Sequence, residues 1–166
     1  MDSVVVEEAR KLIESRVASY PPCNIYNMDK TGLFYNLEPS RTLISETEKK
    51  TVRGIKKQKD RITAALTANM DGTSKLKPFL IGHSLKPRCF KNFNAKYYCL
   101  WTGNKSAWMT GDIFKSYISW FEEQMRLRGK DNVLLIMDNA PTHALDGIRL
   151  RRTKVAFFPP NVTSVC

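Results

Sequence analysis

The feature that most constrains the fold is an uninterrupted apolar run, V-L-L-I-M, within residues 132–137, which Asp138 follows directly. Five apolar residues in a row are too few for a helix and are typical of a strand that is buried on both faces. Immediately before it, residues 111–128 carry apolar side chains at helical spacing, with Thr110 as N-cap and Gly129 at the end. The two patterns predict an α/β fold, a mixed or parallel sheet with flanking helices.

Weaker patterns extend this sheet along the chain. Residues 3–18 have helical apolar spacing that ends at Pro21-Pro22, so we interpret residues 1–22 as a linker helix before a domain of residues 23–166. A short helix is predicted at residues 144–152, and residues 39–59 as an extended connection with a short strand at 42–45. Strands are predicted at residues 23–28, 33–37, 61–68, 77–81 and 155–158, with turns at 31–32 and 69–72.

Length and composition predict one globular domain rather than a disordered, secreted or membrane protein. The chain has 166 residues, of which 42% are hydrophobic and 26% are charged. It lacks the apolar run of about 18 residues that a membrane span needs, and it does not begin with a secretory signal pattern. Its four cysteines form no C-x-x-C pair, which argues against a zinc ribbon and against a disulfide framework.

The net charge of +11 is concentrated in two clusters. The first contains Lys49, Lys50, Arg53, Lys56, Lys57, Lys59 and Arg61. The second contains Arg149, Arg151, Arg152 and Lys154. Clustered cations favour a polyanion partner because binding to phosphates releases condensed counterions. A solvated surface that only aids solubility is equally consistent with the charge alone.

Two aspartates, Asp29 and Asp138, each follow a hydrophobic strand pattern. Parallel strands bring their carboxyl ends to one edge of a sheet, where ligand sites gather. Carboxylates at such an edge are suited to Mg²⁺ or Mn²⁺, since hard cations prefer oxygen ligands, and paired metals promote phosphodiester chemistry. The alternative is structural, because an aspartate at the end of a strand often only caps a turn.

Seven groups of residues in a fixed order resemble the DDE superfamily endonuclease domain of pogo/Tigger-type transposases, including domesticated relatives such as jerky and centromere protein B. These are N-M-D-K-T-G-L-F at 27–34, R-I-T at 61–63, N-M-D-G at 69–72, P-F-L-I-G at 78–82 with P-R-C-F at 87–90, A-W-M-T at 107–110, D-N-A-P-T-H at 138–143 and F-P-P-N-V-T-S at 158–164. The resemblance extends from about residue 24 to the last residue.

The resemblance implies a ribonuclease H-like fold and metal-dependent DNA cleavage and strand transfer, with Mg²⁺ or Mn²⁺ as cofactor. It implies DNA as the partner and the nucleus as the place of action, and it leaves a homo-oligomer open. Asp29 matches the family's first catalytic and metal-binding carboxylate, and Asp138 matches the second.

Two departures from the family pattern bear on activity. Lys30 stands where the family usually has Glu, which puts a cation beside the expected site. The family's third carboxylate follows the P-P-N-x-T-S residues, and this sequence ends at Cys166. We therefore expect an incomplete metal site, a missing last helix and no cleavage by this polypeptide. The competing interpretations are a non-catalytic, domesticated DNA-binding or interaction module and an unstable gene fragment.

Other side chains have two interpretations each. His143 is placed to approach a phosphate or a metal-bound water, or is a loop histidine that makes one hydrogen bond. Trp101, Trp108 and Trp120 are candidates for stacking on bases, although Trp120 lies in the amphipathic helix pattern, where aromatic residues usually belong to the core.

Overall fold

The computed structural model describes residues 3–35 and 60–158. Its centre is a six-stranded sheet in the order β4-β3-β2-β1-β5-β6. Strand β1 (Ile25–Phe34) pairs antiparallel with β2 (Arg61–Asn69), which pairs antiparallel with β3 (Phe79–Gly82). The other pairings are parallel: β4 (Leu100–Gly103) with β3, β5 (Val133–Met137) with β1, and β6 (Thr153–Phe157) with β5. The sheet is therefore mixed, as the sequence predicts.

The larger part of the core lies between one face of the sheet and helix α2 (Gly111–Leu127). The helix buries Phe114, Tyr117, Ile118, Phe121 and Met125, the residues that recur at helical spacing. They pack against sheet residues from β1, β2, β3 and β5. The side chain of Thr110 caps the helix by accepting from the backbone N–H of Ile113, and Gly129 follows the helix with φ +62°.

A smaller core lies on the opposite face of the sheet. Ile25, Leu134, Ile136 and Ala156 form it, and Ile13 and Val17 of helix α1 (Ser3–Val17) pack against them. All five residues of β5 are therefore buried, with alternate side chains in the two cores. This is the arrangement that the V-L-L-I-M run predicts.

The predicted helix at residues 3–18, the hairpin of β2 and β3, helix α2 and the last two strands are confirmed to within a few residues. The predicted turn at residues 31–32 is wrong, because β1 continues to Phe34 as one strand paired with β2, with Gly32 opposite Thr63. The predicted short strand at residues 42–45 and most of the connection at 39–59 lie outside the described residues.

The predicted helix at residues 144–152 is also wrong: this segment is irregular, with a turn at residues 146–147 and a bend at 151–152. Gly147 adopts φ +81° in the middle of it, a left-handed conformation that a right-handed helix does not accommodate. The segment is held instead by the carboxylate of Glu122, whose Oε1 accepts from the backbone N–H groups of Arg151 and Arg152, both at 2.8 Å. A side chain of α2 therefore fixes the entry into β6.

Strand β4 was not predicted, and two glycines account for its position. A Cβ at Gly82 would collide with the ring of Trp101, and a Cβ at Gly103 would lie 2.6 Å from the backbone of Ser84. Glycine at both places lets β3 and β4 pair with the indole lying against Gly82. Within residues 3–35 and 60–158, no helix is both long and apolar enough to cross a bilayer.

A buried pair of hydroxyls offers a test of how α2 is joined to the sheet. Tyr117 Oη and Thr67 Oγ1 are 2.7 Å apart, and burial raises the pKa of the Tyr117 phenol, so it stays protonated. We expect Tyr117→Phe to lower the free energy of unfolding by about 1–3 kcal/mol, because the Thr67 hydroxyl loses its partner. Adding Thr67→Val should recover part of that loss. Urea unfolding of Tyr117→Phe, Thr67→Val and the double variant measures it, and a double variant no more stable than Tyr117→Phe would contradict it.

Candidate functional site

The parallel pairing of β1 with β5 places the residues that carry the two expected carboxylates, Asp29 and Asp138, at the same level on neighbouring strands. Tyr26 is in register with Leu135 and Met28 with Met137, and the next residues are Asp29 and Asp138. Asp138 follows the last residue of β5, as predicted, whereas Asp29 lies in the middle of β1, which continues as the partner of β2. The pairing of neighbouring parallel strands that the sequence predicts is therefore present.

The Asp29 side chain is exposed, and its Oδ1 accepts from the backbone N–H of Lys30 at 2.7 Å. It lines a groove of about 810 Å³ on the α1 side of the sheet, together with Ile25, Leu66 and Ile136. The alternation of side chains along β1 places it on that face. One carboxylate oxygen of Asp29 has no hydrogen bond within the described residues.

Asp138 has a different environment. Its Oδ2 lies 3.3 Å from Nζ of Lys30, whose side chain is only 10% exposed. Its Oδ1 is buried and has no hydrogen-bond partner among the described residues. Lys30 is thus the counter-ion of Asp138, and this ion pair is shielded from solvent more than an ordinary surface pair.

His143 completes this group from a position on the loop after β5. Its Nδ1 lies 2.8 Å from the backbone carbonyl oxygen of Asp138, and its Nε2 lies 2.6 Å from Lys30 Nζ. Since an ammonium has no lone pair, Nε2 must accept and Nδ1 must carry the proton that it donates to the carbonyl. His143 is therefore neutral here, and the 3.3 Å approach of Nδ1 to Asp138 Oδ1 is not a second hydrogen bond.

Packing holds the imidazole in this position. Its ring stacks on Phe114 of α2, with centroids 4.4 Å apart and planes at 18°. Burial lowers the pKa of His143, and the nearby Lys30 cation lowers it further, against the opposing effects of the Asp138 carbonyl and carboxylate. The structural interpretation of His143 therefore accounts for both ring nitrogens, with two hydrogen bonds rather than one.

These residues do not form a complete divalent-metal centre. Among the described residues, no three His, Cys, Asp or Glu side chains come together in a group that could hold a metal ion. The Asp29 side chain faces the α1 side of the sheet, while Asp138 contacts Lys30 and His143. The Lys30 ammonium would repel a metal ion bound to Asp138 Oδ2. The metal role of Asp29 and Asp138 stays a prediction.

Most of the first basic cluster, Lys49 to Lys59, lies outside the described residues. Its last member, Arg61, begins β2 and holds its guanidinium 4.5 Å from the ring centre of Trp108. In the second cluster, Arg149, Arg151 and Lys154 are exposed, and Arg152 pairs with Asp131. Trp120 packs against Phe79 and Tyr117 and belongs to the core side of α2.

Comparison with known proteins decides the family. Residues 59–166 match the DDE superfamily endonuclease family. The chain belongs to this family. It is 37% identical over 147 residues to Tigger transposable element-derived protein 4 of Mus musculus and 34% identical over 169 residues to CENP-B homolog protein 2 of Schizosaccharomyces pombe. The predicted resemblance to pogo/Tigger-type DDE endonuclease domains is confirmed.

These matches take in 87% and 96% of this chain but 27% and 32% of the two relatives, so the chain spans about a third of their length or less. Among solved structures, the chain is similar to the crystal structure of the Mos1 Strand Transfer Complex, with a TM-score of 0.51 and 12% identity. That alignment covers 93% of this chain and 42% of the Mos1 chain. At this identity the similarity concerns the fold, and the ribonuclease H-like sheet is confirmed.

The sequence identified both aspartates and the unusual Lys30 but not the way they are connected. Nothing in a linear pattern indicates that Lys30 Nζ lies 2.6 Å from a histidine 113 positions later in the chain. The signal that was available is the lysine itself: a cation that follows a candidate metal ligand directly requires an acceptor nearby if it is buried.

The contact between Lys30 and Asp138 predicts that this lysine opposes divalent cations. We expect Lys30→Met to raise the apparent affinity for Mn²⁺ about tenfold, because a unit positive charge a few ångströms from the bound ion is removed, even at the dielectric constant of water. Titration of free Mn²⁺ by electron paramagnetic resonance measures it. Lys154→Met, an exposed lysine of equal charge, is the matched control. Unchanged Mn²⁺ affinity in a folded Lys30→Met protein would contradict the proposed competition.

Proposed function

We propose that this chain is a DNA-binding domain derived from a DDE transposase, which acts in the nucleus and, as this polypeptide, binds DNA without cleaving it. Family membership and the net charge of +11 support the choice of DNA as the partner. The observation that carries the second half of the proposal is the contact of 3.3 Å between Lys30 Nζ and Asp138 Oδ2.

The groups that a metal ion would meet at these residues oppose cleavage. Two-metal cleavage of a phosphodiester requires anionic ligands that hold both ions about 4 Å apart. Here Asp138 is already neutralised by a buried ammonium, and its other oxygen is enclosed by protein. The described residues supply no third carboxylate to make up the deficit. Binding without chemistry is therefore the function that this geometry supports best.

The second candidate is an active, Mg²⁺- or Mn²⁺-dependent nuclease and strand transferase. It is favoured by one observation, the register that sets Asp29 and Asp138 on neighbouring parallel strands, the positions of the family's first two carboxylates. In that case Lys30 would have to leave Asp138 before a metal bound. The cost of leaving a buried ammonium without its counter-ion weighs against this step.

DNA binding should depend on the first basic cluster and should not discriminate between sequences. Replacing Lys56, Lys57 and Lys59 with Ala removes three phosphate contacts, each worth about 0.9 in the slope of log K against log salt. Fluorescence anisotropy with labelled duplexes of unrelated sequence, at several salt concentrations, measures the slope. The matched control replaces Arg149, Arg151 and Lys154, which removes the same charge from the second cluster. Equal losses in both triple variants would indicate net charge rather than a site.

The 166-residue chain should leave supercoiled plasmid intact in Mg²⁺ and in Mn²⁺. The physical reason is that displacing the reacting groups by about 1 Å already costs roughly a hundredfold in rate, and a missing metal ligand leaves them unpositioned. The assay compares the natural chain with Asp138→Ala at equal concentration. If the natural chain nicked the plasmid in a metal-dependent way and Asp138→Ala did not, the non-catalytic proposal would be refuted. The result would then support the active nuclease.

A further inference from the structure

Residues 72–111 form a long acid-free segment. Between Asp71 and Asp112 the sequence contains no Asp or Glu. The same segment carries seven cations: Lys75, Lys77, Lys86, Arg88, Lys91, Lys96 and Lys105. This group is separate from the two clusters already described, and it includes β3, β4 and the connection between them.

The described residues do not neutralise the cations of the β3–β4 connection. Lys86, Arg88, Lys91 and Lys96 are all exposed, and none of them makes an ion pair with another described residue. Four positive charges within eleven residues, without an ion-pair partner in the described part of the chain, give this surface a positive potential. A ligand that fits it must carry several negative charges.

Two adjoining grooves lie beneath these cations. One has a volume of about 600 Å³ and is lined by Phe90, Phe93, Lys96 and Trp101 among others. The other, of about 610 Å³, includes Arg88 and Lys91, and the two share Leu85, Lys86 and Phe90. The first groove thus combines several aromatic side chains with Lys86 and Lys96, and the second combines Phe90 with three cations.

The aromatic residues of this surface form a connected array. The ring of Phe90 meets Trp101 edge to face at 4.9 Å and lies 6.0 Å from Phe93, and Phe93 stacks on Tyr98 at 5.3 Å with an interplanar angle of 10°. Phe93 and Tyr98 remain 48% and 67% exposed. A contiguous group of exposed aromatic rings of this kind marks a surface that binds a partner.

The floor of the array is fixed by the backbone. Trp101 lies against Gly82, where any side chain would collide with the indole, and its Nε1 donates to the carbonyl of Ser84 at 2.9 Å. Phe90 then packs on that indole. The aromatic surface is therefore formed before any ligand arrives, which lowers the entropic cost of binding.

We propose that this surface, the β3–β4 groove with Phe93, Tyr98 and the cations Lys86, Lys91 and Lys96, binds unpaired nucleotides of a DNA strand. Aromatic faces stack on single-stranded bases, while lysines follow the phosphates, and this combination tolerates any sequence. A duplex offers phosphates but keeps its bases stacked inside, so it would leave the aromatic array unused. An acidic polypeptide would satisfy the cations but has no requirement for stacked rings.

The inference extends the proposed function, on which it rests for the choice of DNA as the polyanion. It adds a second site, made of residues other than the first basic cluster and other than Asp29 and Asp138, that selects single strands.

The test compares binding of a labelled oligothymidylate with binding of a duplex of equal length. Tyr98→Leu and Phe93→Leu keep apolar volume and remove the aromatic face, and each should weaken oligothymidylate binding roughly tenfold while leaving duplex binding unchanged. Tyr97→Leu is the matched control, because Tyr97 is 73% exposed and makes no ring contact with the described aromatic residues, whereas Tyr98 stacks on Phe93. A second measurement is photocrosslinking with 5-iodo-deoxyuridine, which should label Phe93 or Tyr98.

The outcomes separate the two proposals. If neither oligothymidylate nor duplex binds, the proposed function fails. If duplex binds but the Phe93 and Tyr98 variants hold oligothymidylate as well as the natural chain and Tyr97→Leu do, and no crosslink falls on the array, this inference alone is overturned. The inference would also be overturned, in favour of an acidic protein partner, if labelled polyglutamate bound and oligothymidylate did not. In that case polyglutamate binding should be lost when Lys86, Lys91 and Lys96 become Gln.

Discussion

The parallel pairing of β1 with β5 is the interaction on which the rest of this structure depends. It joins residues from opposite ends of the described chain, and its register, Met28 with Met137, fixes which residues come next on each strand. Because β5 is buried on both faces, a slip by one residue would turn every side chain of the strand into the wrong core. Hydrophobic packing of β5, and not an attraction between the two carboxylates, therefore brings Asp29 and Asp138 onto neighbouring positions of the sheet.

The elements that the sequence predicted correctly are those whose own residues determine them. Helix α2 has its apolar period, its Thr110 cap and its terminal Gly129, and β5 has five apolar residues in a row. The errors arose where a distant partner decides. The sequence around Gly32 is typical of a turn, but pairing with β2 keeps it extended. The segment before β6 has a helix-like sequence, but Glu122 accepts hydrogen bonds from two of its backbone N–H groups.

The candidate site divides in the same way. Residue type, order and family resemblance identified Asp29, Asp138 and the departure at Lys30, because these are properties of short sequence patterns. The bond between Lys30 and His143, the stacking of that histidine on Phe114 and the enclosure of one Asp138 oxygen depend on tertiary packing. A single sequence carries no record of such contacts. The acid-free segment, by contrast, was visible in the sequence, and only its aromatic geometry needed the structure.

The mixed pairing of β1 has a consequence for the synthesis of the chain. Its antiparallel partner β2 is the next strand among the described residues to leave the ribosome, but its parallel partner β5 is made only after β3, β4 and α2. Until then one edge of β1 presents unpaired backbone groups, beside apolar residues that have no cover. The nascent protein therefore passes through a stage in which its central strand is an outer strand, and the speed with which α2 and β5 close over it decides between folding and self-association.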